Sequence, residues 1–292
     1  MSTPTLPPNL TLSQAYQHCE DIVRNHYENF PVASRFLPKR LRLPISVIYA
    51  FARHADDLAD EGELEDEQRY EALVKYQTDF ESAVQTSNSN DPVLFALADV
   101  IRKHQLPTKL FFDLLTAFKM DTQTKSYQSF DEILNYCQYS ANPVGRLLLH
   151  LHKQDTPENL TYSDAICTAL QLINFYQDIQ QDFNENNRIY IPVDELKEFN
   201  VTEEHFKKSI NDQQIQNLML HQIQRAQKIM LSGTQLGKQL SGLFGLEIRI
   251  ICQGGLCISN KLMKIPNVFE RPRLTRHDKF VMLWHALTKQ TY

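Results

Sequence analysis

The chain has 292 residues, of which 42% are hydrophobic and 22% charged, with only 8 glycines. This composition is typical of a globular, helix-rich protein and does not indicate disorder. The formal net charge of −5, from 30 basic and 35 acidic residues, argues against general electrostatic binding of nucleic acid. Since no low-complexity linker divides the chain, we predict one domain over residues 1–292, with 1–12 as a flexible leader.

Cysteine usage and the N-terminal sequence bear on location. The five cysteines include no CxxC pair and mostly lie in apolar periodic segments, which predicts free thiols in a reducing compartment. MSTPTLPPNLTLSQ lacks the basic start and apolar run of a secretory signal, and no apolar stretch reaches the ~18 residues that span a bilayer. We therefore expect a cytoplasmic protein, peripheral at the inner membrane face if its substrate is a lipid.

Helical periodicity runs along the chain in segments joined by short polar or Pro-containing links. A first helix is predicted from Ser13 to about Tyr27, followed by the link FPVASRFLP and a central helix that starts at Pro44 and ends near Asp60. Further helices are predicted at about 64–86, 92–103, 108–119, 131–151, 158–183, 212–231, 234–263 and 276–289. Pro143 should kink or unwind its helix near SANPVG. No long strand-period run is present, so the predicted fold class is all-α.

The stretch FARHADDLADEG contains three aspartates in five positions. On a helix, Asp56 and Asp60 lie on one face with Arg53, while Asp57 points partly away. Two carboxylates on one face repel each other unless a cation lies between them, and magnesium prefers such oxygen ligands. The alternative is a solvated acidic helix end. HADD also resembles the His–Asp pair of metal phosphohydrolases, although further histidines at suitable spacing are not evident.

A second polar stripe occurs in LINFYQDIQQDFNE, where Asn174, Asp178 and Asp182 stand at i, i+4 and i+8. The apolar residues around Asn174 predict burial, and buried carboxylates need partners. Two aspartate-bearing helices could face each other across a pocket and hold two or three magnesium ions around a diphosphate. The metal ions would stabilise the leaving diphosphate, and a carbocation would remain in an apolar cavity.

Other residues suit this chemistry by type. Arginines could hold the leaving group, a serine hydroxyl could donate to it, and aromatic faces could stabilise the cation, although core packing is the usual role of a single aromatic residue. The candidates are Arg35, Arg53 and Arg188, then Ser34, then Phe30, Phe51, Tyr136 and Phe175. No GxSxG, Walker or GxGxxG motif supports a serine hydrolase, a P-loop protein or a dinucleotide fold.

Four motifs in this order, FPVASRFLP, RHADDLAD, YCQYSANPVGR and NFYQDIQQD, resemble the squalene/phytoene synthase family from about Glu28 to Trp284. The resemblance implies an all-α isoprenoid synthase fold around a central apolar cavity, and it implies catalytic roles for Tyr136 and the aspartates. The implied magnesium ligands are Asp56, Asp60, Asn174, Asp178 and Asp182. The implied substrate-binding residues are Ser34, Arg35, Arg53, Asn174, Gln177, Arg188 and Tyr190.

Two departures from the family pattern narrow the expected reaction. Gln177 stands where most members carry an arginine, and SANPVG replaces the usual VAGxVG. With both changes, the sequence resembles the members of this family that form hydroxysqualene. That resemblance implies presqualene diphosphate as substrate, with ionisation, cyclopropyl ring opening and capture of the cation by water. Magnesium is then expected as cofactor, and NADPH is not.

Two alternatives stay open from sequence. The first is head-to-head condensation of two farnesyl diphosphates to presqualene diphosphate or squalene, although the missing arginine at Gln177 favours one diphosphate over two. The second is a non-catalytic assembly factor with this fold, which the presence of both aspartate sets disfavours. The expected partner is a prenyl diphosphate and not nucleic acid. Transient membrane contact for product release, and contact with other squalene-pathway enzymes, are compatible with the sequence.

Overall fold

The computed structural model describes residues 10–25, 38–60, 62 and 64–289, apart from the side chain of Asn186. Ser34, Arg35 and Phe30 lie outside these residues, so their predicted roles stay predictions. The regular structure of the described residues is helical, and an isolated bridge joins Ser126 to Ile189. The predicted all-α class is therefore confirmed.

The chain divides into two compact units. The first contains the described residues up to Gln123 together with His150–Lys153, and the second contains the remainder. The predicted single domain and its central cavity stay predictions. Helices of the first unit are α1 (Leu12–Asn25), α2 (Lys39–Asp60), α3 (Asp66–Thr86), α4 (Pro92–His104) and α5 (Thr108–Gln123).

The second unit begins with α6 (Phe130–Ser140) and α7 (Asn142–His152), whose last three residues belong to the first unit. It continues with α8 (Pro157–Gln177), α9 (Ile179–Asn186), α10 (Val193–Glu198), α11 (Glu203–Lys207), α12 (Gln213–Gly233), α13 (Leu236–Gln239), α14 (Gly242–Leu262) and α15 (Arg276–Thr288). The main packing partners of α8 are α12 and α14.

Helix starts follow from capping residues in the sequence. The Asp91 carboxylate accepts from the Leu94 amide at 2.9 Å, with Pro92 at the first position of α4. The Thr156 hydroxyl accepts from the Asn159 amide at 3.3 Å at the start of α8. Each side chain satisfies a backbone donor that lacks a partner within the helix, and these helices begin close to their predicted positions.

The start of α2 differs from the prediction. The helix begins at Lys39, and Pro44 lies in its second turn rather than at its first position. Proline lacks an amide hydrogen, so this turn loses one backbone hydrogen bond. Leu41, Pro44 and Ile45 share one helix face and are all buried, and this packing offsets the lost bond.

Three predicted helices of the second unit are interrupted. The 131–151 pattern breaks at Ala141, which confirms the interruption expected near Pro143. The 158–183 pattern bends at Asp178, where α8 ends and α9 begins. The 234–263 pattern divides into α13 and α14, and Gly242 has a φ of 66° at the start of α14. This left-handed conformation suits glycine, which has no Cβ.

Burial in the protein interior accounts for the apolar sequence of α14 and for the low reactivity of the buried cysteines. Among the described residues, α14 is the one helix long and apolar enough to cross a membrane, yet 56% of that window is buried inside the protein. All five cysteines are free. Burial raises the pKa of the Cys137 and Cys252 thiols to about 12, so both stay protonated and unreactive at neutral pH.

Candidate active site

The first motif (Arg53–Asp60) forms the C-terminal part of α2. Arg53 Nη1 lies 3.3 Å from Asp56 Oδ2, and its Nη2 lies 2.6 Å from Asp57 Oδ1. Arg53 thus contacts Asp57 as well as Asp56, with which it was predicted to share a helix face, because its long side chain reaches both the i+3 and the i+4 position. Asp60 is exposed one turn further along the helix. Asp57 therefore pairs with Arg53, a contact that was not predicted.

Tyr49 lies one turn before Arg53 on the same helix, and sequence reasoning missed it. Burial raises the pKa of its hydroxyl, the Arg53 charge opposes this rise, and the carboxylates of Asp56 and Asp57 add to it. Tyr49 therefore stays neutral beside this charged group and can serve as a hydrogen-bond donor. Its i−4 spacing from Arg53 was the available signal. His54, by contrast, packs against the Tyr76 ring at 4.7 Å.

The end of α2 is fixed by a buried arginine from α3. The Arg69 guanidinium donates to the carbonyl oxygens of Ala59 at 2.9 Å, Gly62 at 2.8 Å and Leu64 at 2.9 Å. Carbonyls at a helix C-terminus have no partner within the helix, and a cation there also complements the helix dipole. Arg69 thus holds in place the last turn of α2, which carries Asp60.

The second motif (Asn174–Asp182) spans the bend between α8 and α9. The Asp178 amide donates to the Asn174 carbonyl and the Asp182 amide to the Asp178 carbonyl, both at 2.9 Å. Because this i to i+4 ladder continues through the bend, the three polar side chains keep the predicted common face. Asn174 is nevertheless exposed, so its predicted burial was wrong. The neighbouring apolar side chains face the core and leave Asn174 on the open side.

A cation from a distant part of the chain contacts the second motif. The guanidinium of Arg271, in the link between α14 and α15 (residues 263–275), contacts both carboxylate oxygens of Asp178, with Nη2 at 3.1 Å from Oδ2. This hydrogen bonding raises the pKa of Arg271, and the charges of Asp178 and Asp182 add to the effect. Sequence reasoning missed Arg271, because no local spacing connects it with the motif.

Gln177 holds the link that carries Arg271. Its Nε2 donates to the Pro272 carbonyl at 2.5 Å. The preceding residue is fixed as well, since the buried Tyr176 hydroxyl donates to Gln222 Oε1 at 3.0 Å. Gln177 was predicted to bind substrate, whereas in this structure its amide binds the backbone next to Arg271.

Four aromatic rings come together in the second unit. Phe175 and Tyr190 stack with centroids 3.7 Å apart and an interplanar angle of 4°. Tyr136 lies 6.0 Å from each of them, and Tyr127 lies 5.6 Å from Tyr136. The structure thus brings together the predicted Tyr136, Phe175 and Tyr190, and it adds Tyr127, which sequence reasoning missed. We call these four residues the aromatic cluster.

Backbone pairing positions the aromatic cluster. The Val193 amide donates to the Tyr127 carbonyl at 2.9 Å, alongside the Ser126–Ile189 bridge. Arg188, next to this bridge, is buried, and its amide donates to the Asp182 carbonyl at 3.2 Å. The link after the second motif therefore lies beside Tyr127. The other aromatic candidate, Phe51, is buried in the first unit against Tyr76, Phe80 and Phe111, so its role is core packing.

The donor atoms of both motifs suit magnesium. Carboxylate and amide oxygens are hard ligands, and magnesium is usually held by one or two protein carboxylates completed by water and phosphate oxygens. The first motif offers Asp56 and Asp60, and the second offers Asn174, Asp178 and Asp182. No group of three or more His, Cys, Asp or Glu side chains within the described residues could hold a metal ion.

The helical fold with two aspartate motifs and an aromatic cluster defines the class of protein, an all-α isoprenoid synthase fold. The profile of the squalene/phytoene synthase family matches residues 23–278, and the chain belongs to this family. The family predicted from the four motifs is thereby confirmed.

Curated relatives carry more than one activity name. The hydroxysqualene synthase of Zymomonas mobilis is 38% identical over 178 residues, which cover 60% of this chain and 58% of that protein. The phytoene synthase of Mycobacterium tuberculosis is 34% identical over 190 residues, which cover 65% and 61%. The chain thus matches less than two thirds of the length of these relatives.

Solved structures match over more of the chain. Squalene synthase HpnC from Alicyclobacillus acidocaldarius is 30% identical with a TM-score of 0.81, covering 89% of this chain and 97% of that one. A dehydrosqualene synthase in complex with a ligand is 22% identical with a TM-score of 0.79, covering 95% and 97%. At that identity the second likeness supports the fold alone.

Proposed function

We propose that this protein converts presqualene diphosphate to hydroxysqualene in a magnesium-dependent reaction. The carbon–oxygen bond to the diphosphate breaks with its electron pair leaving on the diphosphate, the cyclopropyl ring opens, and a water oxygen bonds to the cation and loses a proton. Presqualene diphosphate and water thus give hydroxysqualene, diphosphate and a proton. No electrons are transferred to the carbon skeleton, so no reductant is needed.

The two motifs bind the diphosphate end of the substrate. Asp56, Asp60, Asn174, Asp178 and Asp182 supply the oxygen ligands for magnesium. When bound, magnesium neutralises the diphosphate charge and stabilises it as a leaving group. Arg53 and Arg271 add fixed positive charge next to Asp56 and Asp178, and guanidinium groups suit phosphate oxygens geometrically. Ser34, Arg35 and Arg188 are proposed to assist at the same end.

The aromatic cluster serves the carbon end. Ring faces attract a cation through their quadrupole, and this attraction strengthens where water is excluded. Tyr127, Tyr136 and Phe175 are all buried. Tyr136 contacts the other three rings and is the catalytic aromatic residue of this proposal.

The residue type at position 177 supports the choice of one diphosphate over two. Glutamine is uncharged, so Gln177 supplies no positive charge for a second diphosphate, and its amide binds the Pro272 carbonyl. Identity to a hydroxysqualene synthase supports the same choice. The alternative, condensation of two farnesyl diphosphates, gains support from the phytoene synthase relatives. The non-catalytic alternative is disfavoured because both aspartate motifs are present.

Product analysis tests the proposal. Purified protein is incubated with magnesium and either presqualene diphosphate or farnesyl diphosphate, without reductant and in water enriched in ¹⁸O, and the products are examined by mass spectrometry. We expect a C30 alcohol labelled with ¹⁸O from presqualene diphosphate and no C30 product from farnesyl diphosphate. Formation of a C30 product from farnesyl diphosphate alone would support condensation, and no product from either would support a non-catalytic role.

A further inference from the structure

Helix α15 carries an exposed apolar stripe formed by Phe280, Leu283, Trp284 and Leu287. These side chains are 69%, 38%, 58% and 57% exposed, respectively. They occupy positions i, i+3, i+4 and i+7 and therefore share one helix face. Ten large hydrophobic residues are exposed among the described parts of the chain, and four of them lie in this stripe. Such a concentration marks an interaction surface rather than scattered surface residues.

The opposite face of α15 is attached to α14. Met282 and Ala286 are buried, and Arg249 Nε on α14 donates to the Ala286 carbonyl at 2.6 Å. Lys261 Nζ on α14 lies 2.9 Å from Asp278 Oδ2. The helix is thus fixed along its inner face, and the stripe faces outward on a rigid support.

Positive charge flanks the stripe. Residues 276–289 contain three lysines and arginines (Arg276, Lys279 and Lys289) and a single acidic residue, although the whole chain carries a net charge of −5. That acidic residue, Asp278, is already paired with Lys261. Arg276 and Lys279 are exposed next to the stripe and have no ion-pair partner among the described residues. The outward charge of this helix is therefore basic.

We propose that the stripe and its basic flanks form a docking surface for an anionic lipid bilayer. A helix with a basic margin, an apolar face and a tryptophan at the boundary suits the plane between headgroups and acyl chains. Acidic headgroups complement Arg276 and Lys279, and the acyl region accepts Phe280, Trp284 and Leu287. This inference rests on the proposed function, because the proposed substrate and product are lipids. The substrate must leave a bilayer to reach the protein, and the product must return to a bilayer.

Trp284 is the single tryptophan of the chain, so its fluorescence reports on the environment of the stripe. Tryptophan emission shifts to shorter wavelength when the ring leaves water. Unmodified protein is titrated, without substrate, with vesicles of phosphatidylglycerol and phosphatidylethanolamine and, separately, of phosphatidylcholine. We expect a blue shift and co-sedimentation with the anionic vesicles, quenching of Trp284 by lipids brominated on the upper acyl chain, and little binding to phosphatidylcholine.

Two pairs of variants separate the apolar and electrostatic contributions. The double variant Phe280→Ser/Leu287→Ser should weaken binding to anionic vesicles by on the order of a hundredfold, since two apolar side chains no longer enter the acyl region. The double variant Arg276→Glu/Lys279→Glu should weaken it by roughly thirtyfold. Leu220→Ser/Leu231→Ser is the matched control, because it removes two exposed leucines from α12 of the same unit, and it should bind normally.

Each outcome decides the inference. Absence of a blue shift and of co-sedimentation with anionic vesicles would overturn it. A blue shift that grows with protein concentration without vesicles, with a doubling of mass in sedimentation equilibrium, would overturn it in favour of a second copy of the chain on the stripe. The proposed reaction is measured separately on detergent-dispersed presqualene diphosphate, where Phe280→Ser/Leu287→Ser should be as active as the unmodified protein. Failure of the reaction with intact vesicle binding would therefore count against the proposed function alone.

Discussion

The two motifs obtain their arginine in different ways. In the first motif, Arg53 lies on the same helix as the carboxylates that it contacts, three and four residues before them. In the second, Arg271 follows Asp178 by 93 residues and reaches it from the link between α14 and α15. One contact is a consequence of helix geometry, and the other depends on the folding of the whole second unit.

Because of this difference, different substitutions should disrupt each motif. The first motif depends on the integrity of α2, whose last turn Arg69 holds from α3. The second depends on the link that Gln177 holds through the Pro272 carbonyl. Substitutions at Arg69 and Gln177 should therefore affect the two motifs indirectly and by different routes, one through stability and the other through the position of Arg271.

The largest effect should come from the carboxylates themselves. Asp56→Ala and Asp178→Ala should each reduce turnover of presqualene diphosphate by on the order of a thousandfold or more, because each removes a magnesium ligand. Circular dichroism should show that both variants remain folded. The matched controls are Asp113→Ala and Asp164→Ala, which remove carboxylates that pair with Lys109 and Arg146. Wild-type turnover in either motif variant would refute the assignment of that motif.

The next effect is on stability and concerns the first motif. Arg69→Met should lower the free energy of unfolding by about 2–4 kcal/mol, because a buried charged donor to three carbonyl groups is lost. Chemical denaturation monitored by circular dichroism measures this change. Arg102→Met, which removes an exposed arginine paired with Asp99, is the control and should have a small effect. Equal stability of the two variants would show that Arg69 does not hold the end of α2.

A smaller effect should distinguish Arg271 from a purely structural arginine. Arg271→Ala should lower kcat/KM by roughly 10- to 100-fold while leaving the melting temperature almost unchanged, since the pair with Asp178 is partly exposed. Arg146→Ala removes an arginine that contacts both oxygens of Asp164 in the same unit and should leave kcat/KM unchanged. Similar kinetic effects of the two substitutions would contradict a role for Arg271 at the diphosphate.

The smallest effect should come from Gln177→Leu. It removes one hydrogen bond to the backbone, which corresponds to roughly a three- to tenfold loss in kcat/KM. The loss should largely disappear when Arg271 is already replaced, because Gln177 acts through Arg271. Gln227→Leu, which removes an amide donor to Ser259 and Asn260, is the matched control. Additive losses in the Gln177→Leu/Arg271→Ala variant would show that Gln177 acts independently.

Contacts between residues close in sequence could be predicted from the sequence, whereas contacts between distant residues could not. Most of the helices, the break near Pro143 and the common helix face of Arg53 and Asp56 follow from neighbouring residues and were predicted, whereas the short helices α10 and α11 were not. Tyr136 and Phe175 were candidates by residue type and Tyr190 by family resemblance, and their proximity follows from tertiary packing. Arg69 and Arg271 were missed because their contacts depend on tertiary packing. The start of α2 was misplaced because buried neighbours offset a helix-interior proline, which local propensity disfavours.

We propose that both motifs are needed for magnesium-dependent binding of one diphosphate group. Isothermal titration calorimetry with inorganic diphosphate tests it most directly, in the presence and absence of magnesium, on the unmodified protein and on the Asp56→Ala and Asp178→Ala variants. We expect the unmodified protein to bind diphosphate only when magnesium is present. Each variant should bind it at least tenfold more weakly, which corresponds to a loss of about 1.4 kcal/mol or more in binding free energy. Equal binding with and without magnesium, or unchanged affinity in either variant, would contradict the claim.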